Sequence, residues 1–202
     1  MNRLASALRA VALVVLLALC VAPAFAASED EATQNVPDTP CWNLTAMAGT
    51  HMFVDYLGGV RVGAAPEMGL RASYWFVNKW GRRETGVGVD YSGFTGRVAG
   101  QNFAYNRLGV NLMWDMIKSL SGAHLDNFGA VPYIHMSVAS APHGVALPWG
   151  IGGYLEWRFD EHLSIQGELR GSFLSAKKVR DVNGNFNIAG NASATVGVSW
   201  AF

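Results

Sequence analysis

The sequence predicts an all-β fold, an eight-stranded antiparallel up-and-down transmembrane β-barrel. The 202-residue chain contains eight segments in which apolar and polar residues alternate, and this period of two is that of a β-strand. The polar faces consist of Gly, Ser, Asn and Tyr with single charges of both signs, which suits the narrow inside of a small closed barrel. Beyond its first residues the chain has no apolar run long enough for a spanning helix, so only strands would cross a membrane.

Two short regions precede the predicted barrel. Residues 1–26 read as a signal peptide, because a basic start and an apolar run lead to the small-x-small cleavage site Ala24-Phe25-Ala26. Residues 27–43 are acidic, polar and interrupted by two prolines, which predicts an extended tail. Cleavage after Ala26 would leave Cys41 as the single cysteine, so no internal disulfide is expected and the thiol alone cannot build a metal site.

The eight alternating segments make up the predicted barrel domain, residues 44–202. They are 44–54, 67–78, 84–94, 103–116, 127–138, 147–159, 162–174 and 191–202. Long loops are predicted at 55–66, 95–102, 139–146 and 175–190. The first segment alternates least clearly. In the second, Trp75 falls on the inward face, where an aromatic residue is unexpected.

The remaining segments each present one apolar face. In the sixth and seventh, "WGIGGYLEWRFDEHLSIQGELRGSF" forms a hairpin with an apolar face and a charged one. Outward aromatic residues lie near strand ends, where a membrane barrel carries its interface girdles. These residues are Trp114, Trp149, Trp157, Phe159, Trp200 and Phe202.

The closing residues "ATVGVSWAF" place Val198, Trp200 and Phe202 on one face. This pattern resembles the C-terminal insertion signal of Gram-negative outer-membrane barrels, which the barrel assembly machinery recognises. The hairpin "GIGGYLEWRFDEHLSIQGELRGSF" resembles strands six and seven of the small barrels of the OmpA transmembrane-domain and OmpX type. The resemblance covers essentially the whole mature chain, but its motifs identify a superfamily rather than a function.

The resemblance implies a monomer in the outer membrane, with both termini in the periplasm and the long loops outside. Its partners would be outer-membrane lipid, lipopolysaccharide and the barrel assembly machinery. The peptidoglycan-binding domain that follows the barrel in OmpA-type proteins does not follow the eighth segment, so tethering to the cell wall is not implied. The expected role is structural or surface interaction through the loops.

Charge excludes one class of partner. The chain has 15 basic and 15 acidic residues, so no polyanion-binding surface is expected and nucleic acid is not a predicted partner. No cofactor and no metal site are predicted. The loop "SAKKVRDVNGNF" is basic through Lys177, Lys178 and Arg180, which would suit lipopolysaccharide phosphates, although such a run is more often simply solvated.

Charged residues on the inward faces are expected to pair, because side chains fill an eight-stranded barrel and a lone buried ion is costly. A turn centred on Trp80-Gly81 sets Arg71 opposite Asp90. A loop centred on Val98-Ala99 sets Asp90 opposite Arg107. The carboxylate is then expected between these two arginines.

A second cluster is expected on segments six and seven, where Glu156, Arg158, Glu168 and Arg170 share the inward face. Together the two clusters predict a neutralised polar plug that closes the interior. The alternative interpretation of the same charges is a gated ion path.

An enzymatic alternative rests on "HMS", residues 135–137. Some outer-membrane barrels are lipid A deacylases that use a His-x-Ser pair and a Glu, and His135 and Ser137 share one strand face. Here Val138 follows where that motif has Asn, the segment is the fifth rather than the penultimate, and the pair faces inward. A loop centred near residues 142–143 would also hold Glu156 roughly 20 Å from the histidine at the usual rise per residue. The sequence therefore predicts a non-enzyme.

Overall fold

The computed structural model describes residues 41–54, 65–78, 83–98, 101–117, 127–141, 144–173 and 190–202. The predicted signal peptide, most of the tail at 27–43 and most of the loop at 55–66 lie outside these residues. The basic loop at 175–190 also lies outside them, apart from its last residue. Within the described ranges, no helix combines the length and the apolar character needed to cross a bilayer.

Nine strands form a single sheet in the described part of the chain. They are β1 (Trp42–Val54), β2 (Ala65–Val77), β3 (Arg83–Val98), β4 (Gln101–Trp114), β5 (Phe128–Ala141), β6 (Gly144–Ala146), β7 (Trp149–Arg158), β8 (Leu163–Phe173) and β9 (Gly190–Ala201). Each pairs antiparallel with its neighbours, and β4 also pairs with β5, which closes the sheet into a barrel.

The barrel has eight wall positions, because β6 and β7 occupy one of them. Both strands pair with β5, and the register continues unbroken from Met136↔Trp149 to Ala139↔Ala146. Only Leu147 and Pro148 separate them, since Pro148 has no N–H to give to the ladder. The predicted eight-stranded antiparallel barrel is therefore confirmed.

Two of the predicted long loops are mostly strand. β3 and β4 pair as far as Val98↔Gln101, and β5 and β6 pair as far as Ala141↔Gly144. The ranges 95–102 and 139–146 were predicted as loops because their small and polar residues obscure the alternation. The first strand also begins at Trp42, two residues before the predicted segment.

Burial in the barrel is reversed relative to a soluble protein. Met68 and Ile151 are 71% and 68% exposed, whereas Arg71, Asp90 and Arg107 are at most 2% exposed. An apolar belt around a polar interior requires hydrocarbon outside. The outer wall therefore faces lipid, and β1 alternates as cleanly as the other strands despite its unclear sequence pattern.

The two ends of the barrel are named here by the chain termini. At the terminal end, the Trp42 N–H donates to the Phe202 carbonyl at 3.1 Å and the Phe202 N–H donates to the Trp42 carbonyl at 2.8 Å. The Trp42 ring also packs edge to face against the Tyr74 ring, with 5.1 Å between the ring centroids. At the distal end, the ring centroids of Trp149 and Phe173 are 5.1 Å apart. Aromatic pairs thus mark both ends of the lipid-facing wall.

Candidate functional site

The interior of the barrel contains three groups of side chains along its axis. The distal network comprises His51, Glu67, Arg71, Asp90, Arg107, Glu168 and Arg170. The aromatic layer comprises Trp75, Met113, Val131, Tyr133 and Tyr154. The terminal network comprises Asp115, Glu156 and Arg158. The aromatic layer follows the distal network on β2, precedes the terminal network on β7 and lies between the two on β4.

Asp90 is the centre of the distal network. Its carboxylate accepts hydrogen bonds from Arg107 Nη2 and from Arg170 Nη1, the latter at 2.9 Å, and Asn111 Nδ2 lies at 3.3 Å. Arg170 Nη2 also donates to Glu67 at 2.9 Å, and the second oxygen of Glu67 lies 3.2 Å from His51 Nδ1. Charges of alternating sign therefore run across the interior from Arg107 on β4 to Glu67 on β2, and His51 on β1 extends the hydrogen-bonded chain.

Arg71 connects the distal network to the aromatic layer. Its Nη1 donates to Glu168 at 2.6 Å, and its Nη2 donates to Gln166 at 2.5 Å. The guanidinium carbon lies 4.5 Å from the centre of the Tyr154 ring, a cation–π contact. Glu168 also accepts the Tyr133 hydroxyl at 2.7 Å. Charged groups on the distal side of the aromatic layer thus contact its rings, in addition to the packing within the layer.

The terminal network is smaller. Arg158 Nη2 donates to Glu156 at 2.6 Å and to Asp115 at 3.2 Å. The other oxygen of Glu156 accepts the Ser164 hydroxyl at 2.8 Å. The side chain of Arg158 is 15% exposed, whereas each ion-paired side chain of the distal network is at most 4% exposed. Solvent therefore reaches Arg158, whereas Asp115 and Glu156 are as buried as the carboxylates of the distal network.

Two glycines make room for the largest rings of the aromatic layer. Gly86 lies opposite Trp75, and a Cβ there would stand 2.9 Å from the indole ring. A Cβ at Gly152 would stand 2.3 Å from Tyr133 Cζ. Trp75 is 1% exposed, so it fills the interior rather than joining a girdle. The inward position predicted from its place in the strand is the observed one.

The expected partners of Asp90 need correction. Arg71 does lie opposite Asp90 in the register, but its guanidinium donates to Glu168 and Gln166 instead. Asp90 lies opposite Gly109, while Arg107 lies opposite Ser92, because the β3–β4 connection is centred one residue later than predicted. The resulting shift of two residues keeps both side chains inside, and the long arginine still reaches the carboxylate diagonally. Asp90 therefore lies between Arg107 and Arg170.

The second expected cluster is divided between the two networks. Glu156 pairs across the strands with Gln166, and Glu168 pairs with Tyr154. Glu156 and Arg158 therefore belong to the terminal network, whereas Glu168 and Arg170 join the distal one. The strand order that brings β8 against β2 and β3 across the interior could not be derived from the two hairpin strands alone.

Three ionisable members of the networks were not predicted as site residues: His51, Glu67 and Asp115. A signal for two of them was present in the sequence. Glu67 has the same strand parity as Arg71, and Asp115 has the same parity as Arg107. Extending the inward face to the ends of each segment would have included both.

The candidate catalytic residues face the interior, as expected. His135 Nε2 lies 3.2 Å from the Gly171 carbonyl and 3.2 Å from Ser172 Oγ, and Ser137 Oγ donates to the Pro148 carbonyl at 3.1 Å. Glu156 lies opposite Gly129 on β5, as the predicted register requires, and its carboxylate belongs to the terminal network. The three groups thus make separate contacts, and both candidate residues on β5 point away from lipid.

Other predicted groups have these positions. Val198, Trp200 and Phe202 are 53%, 52% and 62% exposed on the outer wall at the terminal end. Cys41 is partly buried and is not in a disulfide. Across the described ranges, no group of three or more His, Cys, Asp or Glu side chains is arranged to hold a metal ion.

Solved structures supply the comparison for this architecture. Neisserial surface protein A matches with a TM-score of 0.62 and 13% identity over 80% of this chain and 97% of its own. Ail, the attachment invasion locus protein of Yersinia pestis, matches with a TM-score of 0.53 and 9% identity over 81% of this chain and 99% of its own. The chain has the fold of the small eight-stranded outer-membrane barrels.

At these identities the likeness concerns the fold alone. The outer-membrane enzyme PagL also matches, with a TM-score of 0.47, 13% identity and coverage of 78% of this chain and 97% of its own. That score is too low to carry an argument about activity. No family model and no curated protein matches the sequence.

Proposed function

We propose that this chain is an integral outer-membrane barrel of a Gram-negative cell, with a closed interior that stabilises the fold and distal loops that act at the cell surface. The observation that carries this proposal is the aromatic layer between two internally paired charge networks. The distal network contains three carboxylates, from Glu67, Asp90 and Glu168, and three guanidiniums, from Arg71, Arg107 and Arg170. Its charges neutralise one another and do not call for a bound counter-ion.

The layered interior favours a plug over an ion path. A permeating ion would have to displace charges that already have partners, and would then pass the buried rings of Trp75, Tyr133 and Tyr154. Moving an ion from water into such surroundings costs several kcal/mol even after relaxation. Eight strands also leave an interior that side chains can fill.

The proposed orientation puts the terminal end in the periplasm and the distal end outside. The resemblance to OmpA- and OmpX-type barrels, which implies periplasmic termini, supports it, as do the basic residues of "SAKKVRDVNGNF", which follow the distal end of β8 in the sequence. A cysteine replacing Lys178 in a Cys41→Ser background tests it. A membrane-impermeant maleimide should label that cysteine on intact cells, and labelling only after the outer membrane is broken would reverse the orientation.

Conductance across planar bilayers tests the closed interior. The full chain should give no discrete channels, because the aromatic layer and both networks block the interior. A Trp75→Ala/Tyr154→Ala double variant, checked for folding by its heat-modifiable mobility, should show conductance above that of the parent. Stable unitary channels from the parent protein would refute the plug.

The lipid-modifying alternative has a direct test as well. It would need His135 to activate Ser137, whereas the observed contacts tie the two side chains to different backbone carbonyls. Mass spectrometry of lipid A from cells with and without the protein should show the same acyl pattern. An acyl change that disappears in His135→Ala would establish an enzyme instead.

A further inference from the structure

The lipid-facing wall contains an apolar groove along β5. It has a volume of about 210 Å³ and is lined on its outer side by Leu108, Val110, Met136, Val138, Leu147 and Trp149. A second depression of about 570 Å³ continues it along the same strands and shares Val110, Met136 and Trp149 with it. The two depressions form one furrow over β3, β4, β5 and β7.

The furrow reaches a defect in the hydrogen-bond ladder. The Ser137 N–H donates to the Pro148 carbonyl at 2.8 Å, and the Ser137 hydroxyl donates to the same oxygen at 3.1 Å. The reciprocal bond is impossible, because Pro148 has no N–H to offer the Ser137 carbonyl. Both residues line the groove, although their side chains are on the inward face, so it is the backbone between β5 and β7 that the groove reaches. An apolar groove thus contains one position where the wall provides an acceptor without its ladder donor.

These features define the chemistry of an occupant. Next to hydrocarbon, a depression in the wall is filled by acyl chains rather than by water, because its lining offers almost no hydrogen bonds. A carbonyl that lacks its ladder donor favours a chain that brings one, since unpaired backbone groups are costly in lipid. A plain acyl chain fills the groove but cannot donate, whereas a hydroxylated chain does both.

We propose that this groove binds a hydroxylated acyl chain of lipopolysaccharide, with the chain lying along β5 and its hydroxyl directed to the Ser137 carbonyl. Ser137 is near the distal end of β5, so the site faces the outer leaflet in the orientation proposed above, on which this inference rests. Lipid A is the part of lipopolysaccharide that carries such chains. Phospholipid chains lack the hydroxyl and are the competing occupant.

Native mass spectrometry of the full chain in mild detergent, titrated with lipid A or with phosphatidylethanolamine, tests the site. Lipid A should bind in a saturable one-to-one complex about tenfold more tightly than phosphatidylethanolamine, a difference of roughly 1.4 kcal/mol. Val110→Trp should fill the groove and abolish this preference. Val196→Trp, on the outer wall of β9, is the matched control and should leave it unchanged.

The hydroxyl is tested separately with free β-hydroxymyristate and myristate as competitors. The parent protein should prefer the hydroxylated acid, and Pro148→Ala should remove that preference because an alanine N–H can pair with the Ser137 carbonyl. Equal binding of lipid A and phosphatidylethanolamine, or equal effects of the two tryptophan variants, would overturn the proposal. None of these measurements involves conductance or cell-surface labelling. A failure of the proposed lipid site can therefore be distinguished from a failure of the closed interior or of the proposed orientation.

Discussion

The two charge networks inside the barrel differ in where their members come from. The distal network joins side chains of β1, β2, β3, β4 and β8, so it connects walls that face each other across the interior. The terminal network joins β7 to the end of β4 and includes a partly exposed arginine. A buried charge that loses its partner costs far more than one that water can reach. The distal network should therefore matter more for stability.

The largest effect should come from Asp90→Asn. The change leaves Arg107 and Arg170 without the carboxylate they share, in a region with little access to water. Breaking a buried pair of this kind costs roughly 3–5 kcal/mol. Urea-induced unfolding of the barrel in detergent, followed by its heat-modifiable mobility, measures the loss. A cost below that of the same change in the terminal network would invalidate the comparison.

The partners of Asp90 can be identified by paired removal. Asp90→Leu combined with Arg107→Met should recover part of the lost stability, because removing both partners avoids an orphan charge. Asp90→Leu combined with Arg71→Met should recover none, because Arg71 donates to Glu168 and Gln166. Equal recovery in both pairs, measured by the same unfolding assay, would mean that Arg71 is coupled to Asp90 as strongly as Arg107 is.

An intermediate effect is expected from Gly152→Ala in the aromatic layer. The added Cβ would stand 2.3 Å from Tyr133 Cζ, so the ring must move. Overpacking of this kind usually costs about 1–3 kcal/mol. Gly167→Ala is the matched control, since nothing lies within 4 Å of a Cβ there. Indistinguishable unfolding midpoints for the two variants would show that the layer is loosely packed.

Asp115→Asn should have a smaller effect, on the order of 1 kcal/mol, because the charge that loses its carboxylate partner is that of Arg158, which is 15% exposed and can be reached by water, although Asp115 itself is buried. Arg158 keeps its contact with Glu156 in this variant. The same unfolding assay provides the comparison with Asp90→Asn. A loss as large as that of the distal variant would show that the terminal network is as dry as the distal one.

The smallest effect belongs to the exposed turn between β7 and β8. The Asp160 carboxylate accepts the Leu163 and His162 N–H groups at 2.7 Å each, and these bonds lower the pKa of Asp160 below its usual 3.8. A depressed pKa in the fold means that the contribution is complete above the ordinary pKa and is lost as the pH falls through the lowered one. Asp160→Ala should therefore unfold like the parent protein at the acidic end and slightly more easily at neutral pH. A difference that grows with acidity would contradict this sign.

The sequence predicted the side on which each residue lies better than it predicted the residue's partners. Period two determines the face, and this parity survives an error of two residues in a connection, so Asp90 and Arg107 were correctly expected inside. Partners depend on the stagger of strands and on contacts across the interior. Arg170 reaches Asp90 and Glu67 from the opposite wall. Counting residues outward from a hairpin turn identifies partners on adjacent strands only, so it could not predict these contacts. The interruption of the strand at Pro148 was missed because the alternation continues through Leu147 and Pro148 to Trp149.

The distal network also has a kinetic consequence. Arg71 and Glu168 are 97 residues apart in the chain, and Glu67 and Arg170 are 103 residues apart. Contacts of such separation form only when most of the chain has been ordered, because a long loop must be closed before any pairing energy is gained. Until β8 and β9 complete the wall, these carboxylates and guanidiniums remain solvated. The last strands to join the sheet therefore desolvate the charges and close the barrel in one step.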